Sequence, residues 1–305
     1  MNSKEVMEQT AREGYFWTKQ DCPVCRIPPT RFLGTRGGRS HREGFGVECE
    51  IWSCGTCGLI FPNPMPFPEK GLGQHYDIDA DTYFVNHDPE KKNENAVNLV
   101  NEAERILGRK GRLLDIGVGR GEIVVAAKSL GWDVEGVEPS QTFADRVEER
   151  TGVKIWRDAI EDAAIDDEQF DVVILSAVLE HLYYPDDVIA KIARILKQGG
   201  ILYLDVPNEA GLFFRVGNLY QRLRGRKWTV NLAPTFSPYH VFGFSPRSVK
   251  KLLAKYQLRP EVWKIYGGTS LVSNSGGLMG AVESVGSKAV IALSQYGQMG
   301  TYIGA

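Results

Sequence analysis

The sequence predicts an α/β protein in which a mostly parallel sheet carries helices on both faces, preceded by a small metal-organised N-terminal module. Three observations support this. Strand-like and helix-like segments alternate from about residue 90. An apolar stretch at 113–116 runs directly into glycines at 117, 119 and 121. All five cysteines, at 22, 25, 49, 54 and 57, lie near the N-terminus. Of the 305 residues 43% are apolar, with 13 Phe, 12 Tyr and 6 Trp, so a sizeable core is available. The 36 basic and 38 acidic residues leave a formal charge of −2, which argues against a chain-wide electrostatic grip on nucleic acid. The N-terminus alternates charges without the apolar core of a signal peptide, and no stretch approaches ~18 uninterrupted apolar residues. A soluble, cytoplasmic protein without a membrane span is expected.

The N-terminal module, residues 1–62, is read from its cysteines. Cys22-Pro-Val-Cys25 and Cys54-Gly-Thr-Cys57 are separated by 28 residues. Two residues between cysteines let both thiolates reach one ion from a tight turn, and two such turns supply a tetrahedral zinc site, a zinc ribbon over residues 15–62. Gly55 and Gly58 are expected to give the second turn its backbone freedom. His41 or Cys49 could replace one of the four; otherwise Cys49 reads as a small buried hydrophobe. Four thiolates close the coordination sphere, so the metal is structural. Next comes FPNPMPFPEKG (61–71), whose four prolines argue against regular structure and mark residues 63–88 as a linker and cover.

From there the elements follow in order: a polar helix at 89–108, a strand at 113–116, a helix at 121–130, a strand at 133–138 and a helix at 141–151. Strands at 170–176 and 200–206 flank a helix at 185–197. This alternation implies parallel pairing. In LLDIGVGRGE (113–122) the glycines permit a sharp turn and let a ligand lie against bare backbone at a helix N-terminus. Glu138, at the end of the next strand, is placed to accept hydrogen bonds from a ribose diol. A dinucleotide site would share these features, but its third glycine falls at position 122, where Glu122 stands, unwelcome beside a pyrophosphate. Asp115, just ahead of the first glycine, suits a ligand carrying cationic groups.

On LLDIGVGRGEI (113–123), VEGVEPS (134–140) and FDVVILSAVLEHLYYPDDVIAKIARILKQGGILYLDVPN (170–208), the sequence resembles the class I S-adenosylmethionine-dependent methyltransferases over about residues 72–267. Its zinc-ribbon extension resembles a subgroup of them, many of which methylate sugars or specialised metabolites. The resemblance implies a Rossmann-like, seven-stranded, mostly parallel sheet with the last strand antiparallel, in a methyltransferase domain over 89–305. It also implies that Asp115, Gly117 and Gly119 line the amino-acid end of S-adenosylmethionine, Glu138 its ribose, Asp158 and Ala159 its adenine, while Ser176 lies under the sulfonium. Asp158 equally fits a cap for a helix starting there, and Ser176 a strand-end hydroxyl.

Methyl transfer to a hydroxyl needs a base. Among the histidines at 41, 75, 87, 181 and 240, His181 follows the strand FDVVILS, and His240 lies in SPYHVF with Tyr239 beside it. His181, His240 and Tyr239 are the catalytic candidates, although His181 also fits a structural hydrogen-bonding role. The Asn-Pro-Pro-aromatic signature of adenine-amine and glutamine-amide methyltransferases is absent at Ser176-Ala177-Val178-Leu179, which disfavours those targets.

Residues 210–260 contain ten Lys or Arg and no Asp or Glu. Within an acceptor-side insertion at about 209–245, Arg222, Arg224, Arg226 and Lys227 are interleaved with Phe213, Phe214, Tyr220 and Trp228. They fit a phosphate-bearing or carrier-bound small-molecule acceptor, a solvated helix face, or a membrane-surface helix. A helix at 277–294 and a final antiparallel strand in MGTYIGA (299–305) are expected, and the abrupt end at Ala305 fits a chain cut short. The expected function is methyl transfer to a hydroxyl or carbon of a sugar, nucleotide-linked sugar or specialised metabolite. An RNA modifier gripping RNA through the ribbon is weakly supported, since residues 15–62 hold six basic against four acidic residues. A non-catalytic donor-binding module is the third reading.

Overall fold

The computed structural model describes residues 11–12, 14–72, 89–266 and 302–305. In chain order these form strands β1 (Ala11–Arg12), β2 (Tyr15–Thr18), β3 (Arg31–Arg36), β4 (Cys49–Ser53), β5 (Ile60–Pro62) and β6 (Met65–Pro68), then helix α1 (Pro89–Leu107). There follow β7 (Arg112–Ile116), α2 (Glu122–Ser129), β8 (Asp133–Val137), α3 (Gln141–Thr151), β9 (Ile155–Trp156), β10 (Phe170–Ser176), α4 (Pro185–Ile195) and β11 (Leu196–Pro207). The described chain closes with α5 (Leu212–Leu223), α6 (Pro246–Lys255), β12 (Lys264–Tyr266) and β13 (Tyr302–Gly304). No helix among the described residues is long and apolar enough to cross a membrane. The expected helix at 277–294, most of the expected cover at 63–88, and His75 and His87 lie outside the described residues.

Two compact units emerge. One comprises residues 70–178 and 186–204. Its strands form a Rossmann-like parallel sheet of five, in the order β11-β10-β7-β8-β9. β7 and β10 are almost wholly buried because helices cover both faces of a parallel sheet, which is why they read as continuous apolar runs. Val100, Leu113, Val124, Ala127, Ala144, Val172 and Ile174 belong to its core. The two-residue strand β9 was not expected from sequence. The expected helix at 185–197 ends at Ile195, and β11 begins at Leu196.

The other unit comprises residues 1–69, 179–185 and 205–305. It holds two three-stranded sheets, β1-β2-β6 and β3-β4-β5. The expectation that prolines keep 61–71 irregular is corrected here, because β5 and β6 are both strands. β6 is the edge strand of its sheet, pairing antiparallel with β2. Pro66 and Pro68 stand at alternate positions, so their missing N–H groups fall on one edge, where a strand tolerates proline. Isolated bridges from Thr35 to Trp228 and from Ile60 to Gly243 join the N-terminal strands to the chain beyond residue 205. β13 runs antiparallel to the end of β11, Asp205 opposite Gly304, and to β12. Ser245 caps α6: its hydroxyl accepts the Ser248 amide at 3.1 Å, while the Ser248 hydroxyl accepts the Ser245 amide at 2.8 Å.

The parallel sheet is pinned at the opposite end from its glycine turn by Asp171, only 2% exposed. It accepts the Arg112 amide at 2.8 Å, the Lys197 ammonium at 2.8 Å and the Arg109 guanidinium at 2.6 Å. Burial alone would raise its pKa, but Lys197, the Arg112 amide and Arg109 together hold it down at about 2. A depressed carboxyl contributes stability that is present above its unfolded pKa and is lost as pH falls through the folded one. Asp171→Asn should therefore destabilise the protein by about 1.5–3 kcal/mol at pH 7. Denaturant titrations at falling pH should show the gap to the wild type closing between about pH 4 and pH 2.

Candidate functional site

The parallel strands end level with one another. Leu175 of β10 pairs with Ile116 of β7, Ile116 with Val137 of β8, and Val137 with Trp156 of β9. One residue further on stand Ser176, Gly117 and Glu138, with Asp158 two residues past Trp156. The carboxyl ends of parallel strands are where open α/β sheets bind ligands, so the residues expected to meet the donor share one rim.

The glycine turn is held by sterics. Gly117 has φ +75°, and a Cβ there would lie 2.5 Å from Val178 Cγ2, so a side chain is excluded by conformation and by space. Gly119 (φ +53°) presents its N–H to Glu138 Oε2 at 2.9 Å, and the Ser140 N–H reaches Oε1 at 2.9 Å. Two main-chain amides thus orient Glu138; a carboxylate accepts about four hydrogen bonds, so a ribose diol can join them. Gly121 (φ +83°) starts α2. Asp115 is 1% exposed, and its Oδ2 has no hydrogen-bond partner. Burial, then the charges of Glu138 and Glu122, push it up to about 8. One oxygen of this buried carboxyl thus has no partner among the described residues, and with two other acids nearby a cationic ligand group would relieve it. Asp158 is exposed and begins no helix: the next residues form a turn in which the Ala159 carbonyl accepts the amides of Asp162 and Ala163 at 2.9 and 3.0 Å. The helix-cap alternative for Asp158 is therefore removed. Ser176 is half-buried at the end of β10.

In the other unit the four paired cysteines come together, their sulfurs within 4.8 Å of one another. Cys22 Sγ and Cys57 Sγ are 3.6 Å apart, close to the ~3.8 Å between sulfurs around a tetrahedral ion with 2.3 Å bonds. The two turns repeat one design. Cys22 N–H bonds to the Ile27 carbonyl and Arg26 N–H to the Cys22 carbonyl; Cys54 N–H bonds to Leu59 and Gly58 N–H to Cys54. Arg26 (φ +56°) occupies the left-handed position that Gly58 (φ +76°) fills in the second turn. Gly55, by contrast, is needed for space, because a Cβ would lie 2.5 Å from Thr30 Oγ1. The cluster could bind zinc. His41 is not part of it, packing against Phe45 and Phe236, and Cys49 is buried elsewhere, its thiol pushed up to about 12 by that burial.

The same unit gathers the three catalytic candidates. Glu180 and His181 form a 3-10 turn, and the Glu180 carbonyl accepts the amides of Val241 and Phe242 at 2.9 and 3.0 Å. This clamp brings the His181 and His240 rings to a centroid separation of 4.8 Å, with His181 Nδ1 3.3 Å from the Tyr239 carbonyl oxygen. The two Nε2 atoms lie 3.9 and 4.0 Å from Glu180 Oε1. Sequence reasoning missed Glu180; its signal was a lone acid among apolar residues in VLEHLYY. Burial, then Asp205 and Glu209, push Glu180 up to about 8. Burial, then His181, keep His240 well below its ordinary value.

Asp115 also sets a pH dependence. A carboxyl with a raised folded pKa contributes stability in full below its unfolded pKa, near 4, and loses it as pH rises through about 8. Without ligand, Asp115→Asn should melt with the wild type at pH 4–5 and a few degrees above it at pH 8–9 by scanning calorimetry.

Comparison with known proteins agrees with this geometry. A family described as a methyltransferase domain matches residues 89–261, more than half of the chain. An uncharacterised protein of Methanocaldococcus jannaschii is 33% identical over 112 residues, 37% of this chain and 51% of its own length. A ubiquinone biosynthesis O-methyltransferase of Burkholderia lata is 31% identical over 142 residues, 44% of this chain and 61% of its own. The chain thus spans about half to three-fifths of these relatives. Among solved structures, a SAM-dependent methyltransferase from Archaeoglobus fulgidus is 17% identical, covering 70% of this chain and 92% of that one at a TM-score of 0.48. With its glycine turn, acidic rim and strand order on the matched segment, the chain belongs to the methyltransferase-domain family.

Proposed function

We propose that the protein is a methyltransferase that takes its methyl group from S-adenosylmethionine and places it on a hydroxyl, or a carbon, of a small molecule such as a sugar, a nucleotide-linked sugar or a specialised metabolite. The observation that carries the reading is Asp115, buried with an oxygen that has no hydrogen-bond partner among the described residues. The bound donor supplies a methyl group on a positive sulfur, with a neutral thioether as leaving group. Asp115 holds the donor ammonium, Gly117 and Gly119 admit its amino-acid end, and Glu138 takes the ribose hydroxyls. Asp158 and Ala159 meet the adenine, and Ser176 lies under the sulfur. As the S–C bond breaks and the new O–C bond forms, the hydroxyl passes its proton to a base, a role assigned to His181 or His240, with Tyr239 the third candidate.

Relatives named as O-methyltransferases support a hydroxyl target. Exposed Arg215, Arg222, Arg224 and Lys227 support an acidic acceptor, phosphate-bearing or carrier-bound. Arg224 and Arg226 are steadied by the rings of Tyr220 and Trp228 at 5.6 and 4.3 Å. A structural zinc in the cysteine cluster, and a seven-stranded sheet with an antiparallel last strand, belong to the same reading.

Calorimetric titration with S-adenosylmethionine and its demethylated product should show binding that Asp115→Asn and Glu138→Gln each weaken by about tenfold or more, the loss of one charge-assisted contact. No binding of either ligand by the wild type would overturn the reading. With a hydroxyl acceptor, His181→Ala and His240→Ala should each slow turnover by about 100-fold; less than tenfold for both would remove the histidine assignment. Metal analysis should find one zinc per chain, absent from Cys57→Ser, with unfolding beginning several degrees lower in the variant.

A further inference from the structure

Glu180, His181 and His240 present three ligand atoms to one point, and we propose that they bind a divalent cation distinct from the one expected at the cysteines, with open positions that take the acceptor oxygen. The donor atoms all lie within 4.8 Å of one another. Nε2 of His181 and of His240 face the same oxygen, Oε1 of Glu180, at 3.9 and 4.0 Å. These distances are too long for a histidine–carboxylate hydrogen bond. They are about half an ångström longer than the separation of neighbouring ligands around an ion with ~2.1 Å bonds. Small side-chain rotations close that difference.

Four further observations favour a cation over a hydrogen-bonded acid–base pair. Glu180 is 2% exposed, and its Oε2 has no hydrogen-bond partner among the described residues, a state strongly unfavourable for an ionised group. Among the described residues, the groups approaching it within 4.0 Å as ion-pair partners are imidazoles, not a lysine or arginine. Asp205 and Glu209, both buried, add negative field at Glu180, which a divalent ion relieves and a neutral acceptor does not. The Nδ1 of His181, facing the Tyr239 carbonyl at 3.3 Å, is in the arrangement that fixes a ligating imidazole with its Nε2 lone pair toward a metal. Two imidazoles and one carboxylate form the donor set of metal sites that keep positions open for substrate, unlike four thiolates. An acceptor hydroxyl on such an ion is acidified and gives up its proton to water, so with the ion bound the histidines act as ligands holding the activating charge rather than as the base. This use of the site rests on the proposed methyl transfer, whereas binding of the cation does not.

The test uses the full chain with its cysteine cluster loaded with zinc and excess metal removed. It is titrated with Zn2+ and, separately, with Mn2+, followed by calorimetry and, for Mn2+, by electron paramagnetic resonance. A further equivalent of Zn2+ or Mn2+ per chain is expected, weakened at least tenfold by Glu180→Gln and by His240→Gln. A second measurement needs no variant: in the wild type the added metal should protect His181 and His240 from diethylpyrocarbonate, mapped by mass spectrometry, and leave His41 reactive. No further equivalent of either ion, binding undiminished in both variants, or unprotected His181 and His240 would each overturn the proposal. Donor titration on the same preparations separates the two ideas: donor binding without a further metal sinks the cation alone, and metal binding without donor binding sinks the methyltransferase reading alone.

Discussion

A carboxyl group taken out of water must either keep its proton or be given a positive partner, and this constraint separates the acids that hold the protein together from those that await a ligand. Asp171 shows the first case. It is buried at the start of β10, at the end of the parallel sheet away from the glycine turn, yet Lys197, Arg109 and a main-chain amide surround it and keep it ionised. Asp115 and Glu180 show the second: each is as deeply buried, each has an oxygen without a partner, and each is pushed up to about 8. Perturbations of this kind cluster where a ligand supplies the missing interaction. The charges that raise Asp115 besides its burial are those of Glu138 and Glu122, acids rather than bases, so a cation beside it would relieve it.

The cost of such groups is carried locally by rigid backbone. Asp115 sits in β7, between neighbours paired in register on both sides, so it has no freedom to turn toward water. Glu138 is fixed by two amides of the turn it serves. Glu180 is anchored through its own carbonyl to residues 241 and 242. In each case main-chain hydrogen bonds, which do not depend on the side chain's charge, set the position from which the side chain acts. The fold thereby tolerates an unsatisfied acid, and the site keeps its geometry before any ligand arrives.

How far all this was legible in the sequence follows from the range of the forces involved. Apart from β9, the elements from α1 to β10 were readable almost to the residue, because a parallel strand buried on both faces leaves an unbroken apolar run and the glycines mark where it must turn. The cysteine pairs were readable because their spacing is a local property of a turn. The prolines at 62, 66 and 68 misled: proline forbids a central strand but not an edge, and edge status is decided by strand pairing that no local window contains. β9 escaped for a similar reason, being two residues whose identity as a strand exists only in their pairing with β8.

The group around Glu180 shows the same limit at the level of chemistry. His181 and His240 were visible as titratable residues in suggestive segments, but nothing in the 58 residues of chain between them says that their rings meet. The meeting depends on where the strands deliver the chain, and the decisive quantity, the desolvation of Glu180, arises only once Val241 and Phe242 close over its backbone and Asp205 and Glu209 are buried nearby. Written out, Leu179-Glu180-His181-Leu182 looks like an ordinary turn after a strand. Folded, it places an acid where water cannot reach it and two lone-pair donors opposite it. Residue type determines what a side chain is able to do, and burial determines which of those abilities it must use; for Glu180 burial leaves either a retained proton or a metal ion, and the facing imidazoles, too distant to share a proton with it, favour the ion.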